Sequence, residues 1–103
     1  MSYFKQLLKK EKPVLVDFYA DWCEPCKWLE PILEELQLLL DDKVTVIKIN
    51  VDHSPDIAEE YNVKSVPVLI LFKNDEAIWR INGFKHAKEL YSEISKHLLS
   101  STV

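Results

Sequence analysis

The sequence predicts a single α/β domain, residues 1–103, in which helices flank a mixed four-stranded sheet. Segments with an apolar residue at every third or fourth position alternate with short runs rich in β-branched residues. A chain of 103 residues, 48% of them hydrophobic, can build one core but not two. No linker, repeat or low-complexity segment interrupts the pattern. We expect the order α-β-α-β-α-β-β-α.

The first half of the chain predicts helix, strand, helix and strand. An apolar face over residues 4–8 indicates a short helix, and Val14–Ala20 is a nearly continuous apolar run, as in a strand covered on both faces. Val44–Val51 is β-branched and predicts the second strand. Between these strands, helical spacing relates Cys26, Leu29, Ile32, Leu33, Leu36 and Leu40.

The second half begins at Ser54-Pro55-Asp56, which is typical of a helix N-cap, first-turn proline and first-turn acid. Val66–Phe72 predicts a third strand, which the turn at Asn74-Asp75 joins to a fourth at Ala77–Ile81. A last helix, after Gly83, has an inner face of Ala87, Leu90, Tyr91, Ile94 and Leu98. Strands joined through helices should be parallel, with right-handed crossovers, and the final pair antiparallel.

The charge distribution argues against two classes of partner. The net charge is −4 and the charges are interspersed, so no basic stripe is available to bind nucleic acid. No apolar run approaches the length of a membrane span, and the first residues do not resemble a signal peptide. We therefore expect a cytoplasmic protein, unless a leader has been removed.

The most informative segment is Trp22-Cys23-Glu24-Pro25-Cys26, which holds the only two cysteines and lies where a strand ends and a helix begins. A helix start favours a thiolate on the first cysteine. We expect Cys23, at an exposed helix tip, to be the nucleophile and Cys26, one turn inside, to be the resolving thiol. Pro25 falls in the first helical turn, where a missing N–H costs little.

Two simpler explanations of the cysteine pair are weak. A structural zinc site needs four ligands, and His53, His86 and His97 show no ligand spacing to the cysteines, so no metal is expected. A structural disulfide that encloses two residues would constrain the unfolded chain little. The sequence predicts no cofactor beyond a redox-active disulfide between Cys23 and Cys26.

Two charged residues interrupt predicted strands. Asp17 lies within an apolar run, so its pKa should be raised by burial, and it can then serve as general base for Cys26. Alternatively, Asp17 points to solvent from an edge strand. Lys48 occupies the equivalent position of the next strand and is expected to pair with Asp17, or else to be an ordinary outward lysine.

Two further residues are candidates for binding an extended substrate. Trp22, unless it is a core residue, would form a flat wall beside the nucleophile. Pro67 opens a central strand, where proline is disfavoured. A cis Val66-Pro67 bond would resolve this and leave backbone groups of Val66 free to pair with substrate. The alternative is a trans proline at the first strand position.

Four motifs in order resemble those of the thioredoxin family over residues 12–98: Val14–Lys27, Lys48–Asp52, Ser65–Val68 and Asn82-Gly83. The resemblance implies a thioredoxin-like three-layer α/β/α sandwich with a central mixed four-stranded sheet. It implies a protein-disulfide reductase that acts on client proteins and is recharged by a thioredoxin-reductase-type donor. It also implies that Asn82 and Gly83 complete the substrate groove.

The chain departs from the family pattern at several positions. Glu24 stands where the family has glycine, and Ser65 and Asp75 also fill positions that are usually glycine. The usual first strand is absent, which would leave Val44–Asn50 as an open sheet edge. We expect this edge to be covered by Ser2–Lys10 in a monomer, or else to pair with a second chain.

Two other functions remain open from the sequence. A non-catalytic binding module would use the same groove without turnover. An exported oxidant or isomerase would fit if a leader had been removed, although the retained Pro25 argues against it.

Overall fold

Helices and strands alternate along the chain in the predicted order. The computed structural model describes residues 3–100. The elements are α1 (Tyr3–Leu8), β1 (Val14–Tyr19), α2 (Glu24–Leu40), a 3-10 turn (Asp41–Lys43), β2 (Thr45–Asn50), α3 (Pro55–Glu60), β3 (Val68–Lys73), β4 (Glu76–Asn82) and α4 (Ala87–Ser100). The third strand starts just after Pro67, so this proline precedes the strand instead of opening it.

The sheet is mixed, as predicted, with the strand order β2-β1-β3-β4. β1 pairs in parallel with β2, while β3 runs antiparallel to both β1 and β4. The prediction that all strands joined through helices are parallel was therefore wrong for β2 and β3. β1 is parallel to β2 and antiparallel to β3. The chain therefore enters β3 from the same end of the sheet at which it leaves β2, and the six-residue α3 lies in the connection between them.

Helices cover both faces of the sheet, which confirms the predicted three layers. On one face, Leu15, Leu69 and Leu71 pack against α2 and α4. On the other face, Val16, Phe18, Ile70 and Phe72 pack with residues of α1 and α3. Alternate residues of β1 thus point to opposite faces, and Asp17, two residues from Leu15, faces α2.

The first helix covers a face of the sheet and does not lie along the open edge. The Phe4 ring contacts the rings of Tyr61 and Phe72, each with 6.0 Å between centroids. The Leu8 carbonyl accepts a hydrogen bond of 2.9 Å from the Asp75 N–H, at the β3–β4 turn. The expected edge cover is thus not provided by residues 3–10, because their apolar side chains are drawn onto the sheet face; Ser2 lies outside the described residues.

The β3–β4 turn explains one departure from the family pattern. Asn74 and Asp75 have φ angles of 50° and 69°. Two consecutive left-handed residues form the turn type that matches the twist of a hairpin, and Asn and Asp tolerate this conformation better than other non-glycine residues. Glycine is therefore not required at Asp75.

Candidate active site

The two cysteines lie at the start of α2 and form a disulfide, with their Cα atoms 5.3 Å apart. Cys23 is the N-cap residue, and its sulfur accepts a hydrogen bond of 3.2 Å from the Cys26 N–H. Cys26 lies within the first turn, as predicted. The hydrogen bond and the helix start both favour negative charge on the Cys23 sulfur.

The expectation that Cys23 is exposed is wrong for this disulfide form, in which each cysteine residue is 4% exposed. The carbonyl oxygen of Val66 lies 3.7 Å from the Cys23 sulfur, and Val66 packs against the cluster that contains both cysteines. The segment before β3 therefore lies against the sulfur and contributes to its burial.

Of the predicted groove residues, Val66 lies beside the Cys23 sulfur, and Gly83 contacts Pro67, the residue after Val66. The Val66-Pro67 peptide bond is cis, as predicted. The Gly83 N–H donates a hydrogen bond of 2.8 Å to the Pro67 carbonyl. Gly83 has a φ of +104°, and no atom lies within 4 Å of the position that a Cβ would take, so the backbone conformation is what requires glycine here. Asn82 is exposed, and its side-chain oxygen accepts a hydrogen bond from Arg80.

Trp22 is not a core residue, since it is 69% exposed. Its indole N–H donates to Oδ2 of Asp52 at 2.9 Å. The Asp52 N–H in turn donates to Oδ1 of Asn50 at 2.9 Å. Sequence reasoning did not assign roles to Asn50 and Asp52, although both lie at the end of the Lys48–Asp52 motif.

Glu24 and Pro25, the two residues between the cysteines, differ in their surroundings. Pro25 occupies the first turn of α2, as predicted. Glu24 is exposed and forms an ion pair of 3.4 Å with Lys27 on the next turn. The negative charge beside Cys23 is therefore partly compensated by a cation that the sequence argument did not include.

Asp17 is buried, with 1% of its surface exposed, which excludes the outward orientation. Its Oδ1 atom has no hydrogen-bond partner among the described residues. Burial raises the pKa of Asp17 from 3.8 to about 6; the Lys48 charge lowers this pKa and the Glu30 charge raises it. The prediction of a raised pKa caused by burial is consistent with this environment.

Lys48 lies opposite Asp17 in the register of β1 and β2. Within the described residues, its ammonium nevertheless pairs with Glu30 of α2, at 3.6 Å, and not with Asp17. The same ammonium lies 4.6 Å from the centre of the Tyr19 ring. Lys48 is thus exposed, but its ammonium is held in place by Glu30 and the Tyr19 ring. The predicted direct pair with Asp17 is not formed. Glu30 was missed, although it lies one turn beyond Cys26 on α2.

Comparison with known proteins agrees with this geometry. The thioredoxin family model matches residues 1–96. The chain belongs to the thioredoxin family. It is 42% identical over 97 residues to a thioredoxin of Rickettsia felis, which covers 94% of this chain and 92% of the relative. It is 40% identical over 92 residues to a thioredoxin of Alicyclobacillus acidocaldarius, covering 89% and 88% of the two chains.

Among solved structures, the oxidised mitochondrial thioredoxin 3 of Saccharomyces cerevisiae superposes with a TM-score of 0.81 at 38% identity. That match covers 90% of this chain and 86% of the yeast chain. As a thioredoxin-family protein with a Cys23–Cys26 pair at bonding distance, the chain is a thiol-disulfide oxidoreductase.

Around the thioredoxin-type site lies an aromatic pair that the sequence analysis did not identify. The rings of Trp28 and Phe84 meet edge to face, with centroids 6.1 Å apart. They are 57% and 39% exposed. Phe84 follows Gly83 directly, so this pair extends the surface beside the Pro67 segment.

Residues 3–100 meet the requirements neither of a metal site nor of a membrane-spanning helix. No group of three or more His, Cys, Asp or Glu side chains in this part of the chain is arranged to hold a metal ion. None of the helices described there combines the length and apolar character that crossing a bilayer requires.

Proposed function

We propose that this protein reduces disulfide bonds in client proteins, with Cys23 as nucleophile and Cys26 as resolving thiol. The observation that carries the proposal is the hydrogen bond from the Cys26 N–H to the Cys23 sulfur at the start of α2. This donor and the positive end of the helix dipole lower the cost of a thiolate at Cys23. The Cys23 sulfur is then a better attacking group than the Cys26 sulfur.

In the first step, the Cys23 thiolate attacks one sulfur of the client disulfide. A bond forms between Cys23 and that client sulfur, and the client S–S bond breaks. The second client sulfur leaves as a thiolate and takes a proton from solvent. The product is a mixed disulfide between the protein and its client.

In the second step, Cys26 loses its proton to Asp17 and attacks the sulfur of Cys23. The Cys23–Cys26 disulfide forms, the mixed disulfide breaks, and the client sulfur leaves to be protonated. Because the pKa of Asp17 is about 6, its carboxylate is largely ionised near neutral pH. It is also more basic than an ordinary carboxylate, which suits a general base.

The client is proposed to bind as an extended segment across the disulfide. The Val66 carbonyl, which lies 3.7 Å from the Cys23 sulfur, would accept a hydrogen bond from a backbone N–H of this segment. Trp22, held by Asp52, provides a flat exposed wall. Pro67, Asn82 and Gly83 would form the opposite side. Glu24 and Pro25, which separate the two cysteines in the sequence, would contact the client next to the disulfide.

The proposed setting is the cytoplasm, where a thioredoxin-reductase-type donor would return two electrons to the Cys23–Cys26 disulfide. Family membership supports this kind of donor and this kind of client. The protein would then act as a general carrier of electrons to disulfides, with no metal or organic cofactor of its own.

Insulin reduction by dithiothreitol tests the proposal. Wild type should accelerate precipitation of the insulin B chain over reagent alone, and Cys23→Ser should abolish the acceleration. No acceleration by wild type would instead favour a binding module. A reduction potential near that of the strongly oxidising family members would favour the oxidant, whereas a potential of about −270 mV fits a reductase.

A further inference from the structure

Three charged side chains form a series that runs from the interior to the surface of the protein. Asp17 is buried under α2, Lys48 faces it from β2, and Glu30 of α2 pairs with Lys48. Asp17 and Lys48 lie within motifs that the chain shares with the thioredoxin family. Glu30 belongs to neither of the motifs that contain the cysteines and Lys48, and the reaction described above does not use it.

We propose that Glu30 is a positioning residue for the resolving step: it holds the Lys48 ammonium on the surface side of the sheet and leaves the Asp17 carboxyl without a cationic partner. The inference rests on the proposed function, because it concerns the base that serves Cys26. It depends on the 3.6 Å contact between Lys48 and Glu30 and on the partnerless buried oxygen of Asp17.

The geometry explains why the position of one ammonium matters. Lys48 has two alternatives within reach of a flexible side chain, the exposed Glu30 carboxylate and the buried Asp17 carboxyl opposite it. The Tyr19 ring supports the outward position, since the ammonium lies 4.6 Å from its centre. Pairing with Asp17 would fix that group as a carboxylate and weaken it as a base.

The remaining surroundings of Asp17 contribute little charge. On β3 its register partner is Leu69, and α4 contributes Leu90 and Ile94 to the core on that face. β1 itself contributes Tyr19, and α2 contributes the two cysteines at its start as well as Glu30. Lys48 and Glu30 are therefore the charged groups that act on Asp17, and Glu30 acts both directly and by holding Lys48.

The test is a titration of the Asp17 carboxyl carbon by NMR in the oxidised protein. Wild type should titrate at about 6. In Glu30→Gln the midpoint should fall by roughly half a pH unit, the size expected for one partly screened charge. Glu34→Gln, which removes an exposed charge one turn further along α2, should leave the midpoint unchanged. In a Lys48→Gln background, Glu30→Gln should shift the midpoint less than in wild type.

A second readout follows the reaction itself. Decay of the mixed disulfide should show an acid limb that follows the pKa of Asp17, and Glu30→Gln should move this limb to lower pH by the same amount. An unchanged or raised Asp17 midpoint in Glu30→Gln, an equal shift in Glu34→Gln, or an undiminished shift in the Lys48→Gln background would overturn the proposal. Failure of wild type to reduce insulin would contradict the function instead, and the NMR titration is independent of that result.

Discussion

Asp17 and Lys48 face each other across β1 and β2 and yet do not form an ion pair. Their strands pair in parallel with these residues in register, but the lysine ammonium lies 3.6 Å from Glu30. Asp17 therefore remains a buried acid with a pKa of about 6. The buried Asp17 carboxyl lowers stability when it is ionised, and it is more basic than an exposed carboxylate. Two predictions about Asp17→Asn follow from these two properties.

The first prediction concerns stability and pH in the oxidised protein. The pKa of Asp17 is raised from 3.8 to about 6, so between these values the folded state holds a proton that the unfolded state has lost. Stability from this group is present below about pH 4 and is lost as pH rises through about 6. The asparagine of Asp17→Asn does not titrate. Over this pH range the free energy of unfolding of Asp17→Asn should therefore rise relative to that of wild type, by on the order of 3 kcal/mol.

Urea unfolding of both proteins across this pH range measures the difference. The exposed Asp21→Asn serves as the matched control and should show no comparable trend. A difference between Asp17→Asn and wild type that stays constant with pH would contradict the assignment of a raised pKa.

The second prediction concerns the resolving step. Asp17→Asn keeps the shape of the side chain and removes the proton acceptor, so attack by Cys26 should slow by about 10²-fold or more, within the range typical of a lost general base. Formation of the mixed disulfide by Cys23 should change much less. Stopped-flow measurement of both phases with a protein substrate separates them. Normal decay of the mixed disulfide in Asp17→Asn would rule out the general-base role.

The third prediction concerns Glu24 and the reduction potential. A carboxylate near Cys23 repels the thiolate and disfavours the dithiol form, so Glu24→Gly should make the protein less reducing. Because Glu24 is exposed and paired with Lys27, the change should be small, roughly 10 mV. Equilibration with glutathione measures it. Glu24→Gln isolates the charge from the effect of glycine on the helix, and Lys27→Gln should shift the potential the opposite way. A Glu24→Gly variant that is more reducing would contradict the argument.

The fourth prediction concerns the open edge of β2, which α1 does not cover. Thr45 and Val51 donate their N–H groups toward β1, so by alternation the N–H groups of Val46 and Lys48 point away from the sheet. We expect weak, concentration-dependent pairing of two such edges. Sedimentation should show dimers at high concentration, with protection of these two amides against exchange. Ile47 and Ile49 serve as internal controls, and a monomer at all concentrations with freely exchanging Val46 and Lys48 would contradict this expectation.

Sequence patterns were sufficient where a local period or a motif determines structure. The helical spacing over 26–40 and the apolar run of β1 predicted their elements because burial on one or both faces leaves a periodic signature. The cis bond before Pro67 and the burial of Asp17 were predictable for a related reason. In each case a residue type occurs where its surroundings disfavour it: a proline beside a central strand and an aspartate within an apolar run.

Long-range geometry was less accessible to sequence reasoning. The direction of β3 depends on how the segment between β2 and β3 packs on the sheet, and the pairing of Lys48 depends on which side of α2 faces β2. Glu30 carried no signal, since exposed carboxylates occur throughout the chain, and Asp52 belonged to the Lys48–Asp52 motif without indicating a partner. Their contacts with Lys48 and Trp22 arise only when separate elements pack together.

The most direct test of the account traps the intermediate on a protein disulfide. Reduced Cys26→Ser should react with insulin to give a stable covalent adduct, and peptide mass spectrometry should place the new disulfide on Cys23. Cys23→Ser should give little adduct under the same conditions. A stable adduct on Cys26 in Cys23→Ser, or no adduct on Cys23 in Cys26→Ser, would contradict the assignment of nucleophile and resolving thiol.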